Sequence, residues 1–126
     1  MRVFIASDDK NLIESIQSIS YIAEDKVQIF DEKEGTALDI MSMVCSSNPN
    51  LLLIDDDYTR PDSEHLIRSI RRVNRHIRIV FVTSDDSIEL GRAITPLDIH
   101  YYAIKPFNQN ELTDSLQSVF QMTQHS

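Results

Sequence analysis

The sequence predicts an α/β fold in three layers, a five-stranded parallel sheet with helices packed on both faces. Short apolar runs of strand length alternate from end to end with segments whose apolar residues recur at helical spacing. One run, Leu51-Leu52-Leu53-Ile54, has no polar alternation, as a strand covered on both sides requires. At 126 residues the chain is long enough for one hydrophobic core.

Each element has its own signal. Arg2 to Ala6 reads as the first strand, and Leu12, Ile13, Ile16 and Ile19 mark an amphipathic helix from about Asp9 to Ser20. Val27 to Phe30 is the second strand. Ala37, Leu38, Met41 and Val44 give a helix over about Gly35 to Ser46, closed at Asn48-Pro49-Asn50 because proline cannot continue it. After the Leu51–Ile54 strand, Leu66, Ile67, Ile70 and Val73 place a third helix at about Asp62 to Asn74. Ile77 to Val82 forms the fourth strand, and a short fourth helix near Ser87 to Ile94 is halted by Pro96. Tyr101 to Ile104 is the fifth strand. Leu112, Leu116, Val119 and Phe120 place a closing fifth helix at about Asn108 to Thr123. Right-handed crossovers leave few topologies for such a chain, and the doubly wound, flavodoxin-like order 2-1-3-4-5 is the expected one. A single domain over residues 1–124, with no second domain, follows.

Composition narrows the function. Twelve Lys and Arg against 20 Asp and Glu leave a net charge of −8, which argues against broad nucleic-acid binding. No apolar run reaches the ~20 residues of a membrane span, and the start is too short and too acidic for a secretion signal. The lone Cys45 excludes an internal disulfide framework and a multi-cysteine zinc site. A reduced, cytoplasmic setting is expected. Arg68, Arg71, Arg72 and Arg75 fall at helical spacing and read as a solvated helix face. His65, His76, His100 and His125 show no metal-ligand spacing and read as surface residues.

Position matters more than total charge. Asp8 and Asp9 follow the first strand, Asp55, Asp56 and Asp57 the third, and Thr83, Ser84, Asp85 and Asp86 the fourth, while Lys105 follows the fifth. In an open parallel sheet these strand ends share one edge, where ligands bind. Carboxylates crowded there repel one another unless a cation stands between them, and an all-oxygen set suits Mg²⁺. A carboxylate beside such an ion can attack a phosphoryl group. Asp at these places also caps helices and builds turns, so each one alone has a structural explanation.

Pro49-Asn50-Leu51-Leu52-Leu53-Ile54-Asp55, Val80-Phe81-Val82-Thr83-Ser84 and Tyr102-Ala103-Ile104-Lys105-Pro106-Phe107 together resemble the receiver domain of two-component response regulators. The resemblance covers nearly the whole chain. It implies that Asp55 is the phosphoacceptor, served by a sensor histidine kinase or phosphotransfer protein in a Mg²⁺-dependent reaction. Asp8 and Asp55 would hold the metal with the backbone carbonyl of Asp57, and Ser7 or Asp9 would reach it through water. Thr83 and Lys105 would hold the phosphoryl oxygens, Tyr102 would be the switching aromatic, and the Lys105-Pro106 bond would be cis. The signal would pass by conformational change to a downstream protein, with self-phosphorylation and self-dephosphorylation as the only catalysis. Composition leads us to expect no nucleic-acid and no membrane partner for this domain, and the resemblance implies an output and homodimer surface on the fourth helix, fifth strand and fifth helix.

Departures from the family pattern are specific. Serine stands at position 7, where the family's first acid is usual. The stretch Asp56-Asp57-Tyr58-Thr59-Arg60-Pro61 lacks the customary hydrophobic-hydrophobic-Pro-Gly course, and Thr95 to Tyr101 lacks a Gly-Ala pair. Two other readings stay open on these residues. One is a phosphorylation-independent interaction module with the receiver fold. The other is a phosphatase of the haloacid-dehalogenase type, which the Asp55-Asp56-Asp57-Tyr58-Thr59 stretch also resembles, with Asp55 as nucleophile and Asp57 as general acid/base.

Overall fold

The computed structural model describes residues 1–19 and 26–124. Five parallel strands, β1 (Val3–Ala6), β2 (Val27–Phe30), β3 (Leu51–Asp55), β4 (Arg78–Thr83) and β5 (Tyr101–Ile104), form one sheet in the order 2-1-3-4-5. Helices α1 (Lys10–Gln17), α2 (Ala37–Ser47), α3 (Asp56–Thr59), α4 (Ser63–Val73), α5 (Ile88–Ile94) and α6 (Gln109–Gln124) connect and cover it. Fold class and strand order are those the sequence predicts. The predicted end of the first helix at Ser20, and His125, lie outside the described residues.

Local chemistry sets the helix ends. Asp9 caps α1 by accepting from the amides of Asn11 and Leu12, and Thr36 and Asp39 form a reciprocal capping box on α2. That box starts α2 at Ala37 rather than Gly35. Asn48, in the left-handed region at φ 49°, closes it ahead of Pro49. Pro96 does not end the chain's helical course outright. It sits in a single 3₁₀ turn, Thr95–Leu97, appended to α5, where a missing amide is tolerated.

Alternate strand residues supply two separate cores. Val3, Ile5, Leu51, Leu53, Val80, Val82 and Ala103 face Leu12 and Ile16 of α1 and Leu112 and Leu116 of α6. Phe4, Ala6, Leu52, Ile54, Ile79 and Phe81 face Ile40 and Val44 of α2, Leu66 and Ile70 of α4, and Ile94 of α5. Each buried Val, Leu, Ile or Phe side chain here contributes about 1.5–3 kcal/mol by leaving water. This two-sided burial is why β3 has no polar position before Asp55.

Three expectations change. A sixth helical segment, α3, follows β3 directly, because the Asp55 side chain accepts from the Asp57 amide and starts a turn there. The arginine stripe is also not uniformly solvated. Arg71 is half-buried and donates to the carbonyls of Leu97, Ile77 and Asp98, fastening α4 to the segment that leads into β5. His100 is half-buried as well, with Nε2 3.1 Å from the Ser115 carbonyl. Among the described residues no helix is long and apolar enough to cross a membrane.

Arg71→Met should leave three carbonyls short of a donor while keeping the aliphatic packing. We expect a loss of about 2 kcal/mol in urea unfolding, with Arg72→Met, on the exposed side of α4, within about 0.5 kcal/mol of the parent.

Candidate functional site

Register places the chemistry. Ala6 lies level with Ile54, so Ser7 comes level with Asp55 at the next step. Asp55 lies level with Val82, which brings Asp56 level with Thr83. Thr83 lies level with Ile104, which puts Lys105 just past the end of β5. Strand alternation then sorts these residues by face. Ser7, Asp55 and Lys105 continue the side facing α1 and α6. Thr83, Asp56 and Tyr102 continue the side facing α2, α4 and α5.

On the first side Asp55 is 1% exposed. The Lys105 ammonium lies 3.1 Å from both of its carboxylate oxygens. The same ammonium reaches Asp9 Oδ2 at 3.0 Å and Asp57 Oδ2 at 3.2 Å. Ser7, fully buried, donates its hydroxyl to Asp55 Oδ2 at 2.6 Å and accepts from the Asp9 amide at 3.0 Å. Burial pushes the Asp55 carboxyl above its ordinary value, against the pull of Ser7 and Lys105. Burial works the same way on Asp9 and Asp57 but loses: Lys105 and the α1 amides hold Asp9 below the usual range, and Ser84 with Lys105 does so for Asp57. Lys105, despite its own desolvation, is held above its ordinary value by Asp9, Asp55 and Asp57.

On the second side Thr83 donates to Asp56 Oδ2 at 2.7 Å. Asp56 is buried and also accepts from Arg60 at 2.8 Å and from Ser63 at 2.7 Å. Tyr102 packs on Phe81 with ring centroids 5.2 Å apart. Its neighbour Tyr101 points to the α1/α6 side, its hydroxyl 3.5 Å from Glu111.

The residues singled out in the sequence are thus gathered in two groups. Asp55, Asp57, Lys105, Ser7 and Asp9 meet around the ammonium; Thr83 and Tyr102 sit across the sheet with Asp56. Asp8 is exposed. It contributes with Asp31 and Glu32, after burial, to raising the Tyr58 phenol to about 12, and Tyr58 itself donates to the Glu32 carbonyl. The bond between Lys105 and Pro106 is cis. Sequence reasoning missed Asp56, Arg60 and Ser63 as one polar node. Strand alternation was the available signal, since Asp56 and Thr83 share a face.

Does this donor set suit a divalent ion? Its chemistry does: Asp9, Asp55, Asp57 and the nearby Asp8 offer hard oxygen ligands. Its geometry is set around an ammonium, and among the described residues no three acidic, His or Cys side chains are arranged to hold a metal.

Comparison with known proteins gives a consistent answer. The model of the response regulator receiver domain matches residues 3–117. In shape the chain is similar to a CheY-like response regulator receiver domain protein from Methanospirillum hungatei JF-1, at TM-score 0.78 and 19% identity, covering 99% of this chain and 98% of that one. It is similar also to the N-terminal domain of an uncharacterized protein from Wolinella succinogenes, at TM-score 0.80 and 12% identity, over 99% and 98%. A DNA-binding response regulator of the LuxR family from Staphylococcus aureus gives TM-score 0.70 and 20% identity, over 94% and 98%. These likenesses show the fold. A comparison with curated proteins finds no match.

The opposed shifts make a test by carboxyl NMR titration. Asp55, raised, should take its proton first as pH falls from neutrality; Asp9 and Asp57, lowered, should follow below pH 3.8. The signs for stability differ accordingly. Asp9 and Asp57 stabilise above their unfolded value and lose that contribution as pH drops through their folded values, whereas ionised Asp55 costs stability at neutral pH. Asp55→Asn should therefore raise the melting temperature, by about 3 °C, and a lower one would contradict this assignment.

Proposed function

Since this chain belongs to the response regulator receiver domain family, we propose that it relays a signal through phosphorylation of Asp55. Its donor is a sensor histidine kinase or phosphotransfer protein. The observation that carries the reading is the Lys105 ammonium seated on both oxygens of a strand-end carboxylate. In the transfer, an Asp55 oxygen attacks phosphorus and the P–N bond of the donor phosphohistidine breaks. The imidazole leaves with the electron pair and recovers a proton from solvent. Lys105, already in place, shifts its hydrogen bonds to a phosphoryl oxygen, and Thr83 turns its hydroxyl toward another.

Mg²⁺, held by Asp8, Asp55 and the Asp57 carbonyl with Ser7 or Asp9 at second hand, would supply positive charge against the phosphoryl oxygens. The aspartyl phosphate hydrolyses on the protein itself; no separate substrate is turned over. Tyr102, on the face of Thr83, transmits the change as a population shift. Ile88 of α5 and Ile104 of β5 are large apolar residues left exposed, which supports the α5–β5–α6 face as the surface for a downstream protein or a second copy. We assign the domain to residues 1–124, in the cytoplasm, without nucleic-acid or membrane contacts of its own.

One observation favours a second reading, the phosphorylation-independent module. Asp55 is almost sealed, and both its oxygens are already hydrogen-bonded, Oδ2 by Ser7 and Lys105 and Oδ1 by Lys105 and the Asp57 amide. Phosphorylation requires the Ser7 bond to open. The phosphatase reading has no such support: the Asp57 carboxylate is engaged by Arg60, Ser84 and Lys105.

Incubation with Mg²⁺ and acetyl phosphate separates the first two. We expect a hydroxylamine-labile mass increase of one phosphoryl group, absent in Asp55→Asn, with Ser7→Ala labelled about fivefold faster because one bond no longer closes the carboxylate. No increase in either the parent or Ser7→Ala would select the second reading.

A further inference from the structure

We propose that Asp56 is a built-in competitor for the Thr83 hydroxyl, so that this receiver is held in its resting conformation by a buried acid next to its phosphoacceptor. The inference rests on the reading of Asp55 above and adds to it the bond that the switch must break.

Thr83 has one hydroxyl proton to give. It goes to Asp56 Oδ2 at 2.7 Å, and the hydroxyl oxygen accepts from the Asp85 amide at 2.9 Å. Asp56 is only 3% exposed and cannot follow Thr83 if that side chain turns. Arg60 holds Oδ2 through Nη2 at 2.8 Å and Nε at 3.3 Å, and Ser63 holds Oδ1 at 2.7 Å. Ser63 is in turn 2.7 Å from the Thr59 hydroxyl. A carboxylate fixed in this way is a strong acceptor, stronger than a neutral group would be.

Geometry makes the competition unavoidable. Asp55 and Asp56 are consecutive at a strand end and point to opposite sides of the sheet, with Thr83 level with Asp56. A hydroxyl turned toward a phosphoryl group on Asp55 is lost to Asp56. Tyr102 packs on Phe81 on the same side, so the aromatic that would respond sits beside the bond that must open. Ser63 begins α4, which ties the resting bond to a helix entrance as well.

Asp56→Asn tests this: it keeps shape and a carbonyl acceptor and removes the charge. Two readouts are needed, the NMR signals of the Thr83 methyl and Tyr102 ring in unmodified protein, and the affinity for beryllofluoride with Mg²⁺ as a phosphoryl mimic. We expect moved Thr83 and Tyr102 signals before any ligand is added, and about tenfold tighter beryllofluoride binding. Arg72→Met, on the exposed side of α4 and away from the site, should behave as the parent. Unmoved signals, or moved signals with unchanged affinity, overturn the proposal. If no variant and no parent binds beryllofluoride, the Asp55 reading falls, and the Thr83 signals alone then decide whether Asp56 tethers it. Should Asp56→Asn fail to fold, Arg60→Gln loosens Asp56 from the exposed side and carries the same test with a smaller shift.

Discussion

The ammonium of Lys105 is the constraint on which this site depends. It stands within 3.2 Å of three carboxylates supplied by three different parts of the chain, the entrance to α1, the end of β3 and the start of α3. One of the three, Asp55, is nearly without solvent. An ionised carboxylate so placed is tolerable only with a partner and hydrogen bonds to its remaining lone pairs. Lys105, Ser7 and the Asp57 amide together provide them. The sheet makes this possible, since parallel pairing brings the ends of β1, β3 and β5 to one edge while two apolar cores hold the strands in register.

The same pleat that builds the site divides it. Residues of one parity assemble around Lys105; those of the other parity assemble around Asp56. The backbone between Asp55 and Asp56 joins the two sides at β3, as does Arg60, whose Nη2 donates to both Asp56 Oδ2 and Asp57 Oδ1. On the proposed reading, a charge added to Asp55 is felt on the α2, α4 and α5 side through Thr83, whose hydroxyl leaves Asp56 for the phosphoryl group.

Much of this was legible in the sequence. Unbroken apolar runs located the strands, and Asp55 and Lys105 announced themselves as the polar residues that follow them. Strand alternation also settles why Tyr102, and not Tyr101, belongs with Thr83. What could not be read was the direction of side chains in the turns. Asp8 and Asp9 are equivalent in spacing, but the helix cap draws Asp9 inward to Lys105 and leaves Asp8 exposed. The α3 turn likewise depends on Asp55 capping its own successor, which no periodicity encodes. Arg71 looked like one member of a charged stripe because helical spacing cannot show that three carbonyls lie in its reach.

The most direct measurement is thermal unfolding of Lys105→Met with and without Mg²⁺. If the ammonium is the counter-ion of these carboxylates, its removal lowers the melting temperature by about 5 °C without the metal. Mg²⁺ then restores much of that loss and stabilises the variant more than it does the parent. A variant that melts with the parent in the absence of metal, or that Mg²⁺ leaves unchanged, would contradict the account.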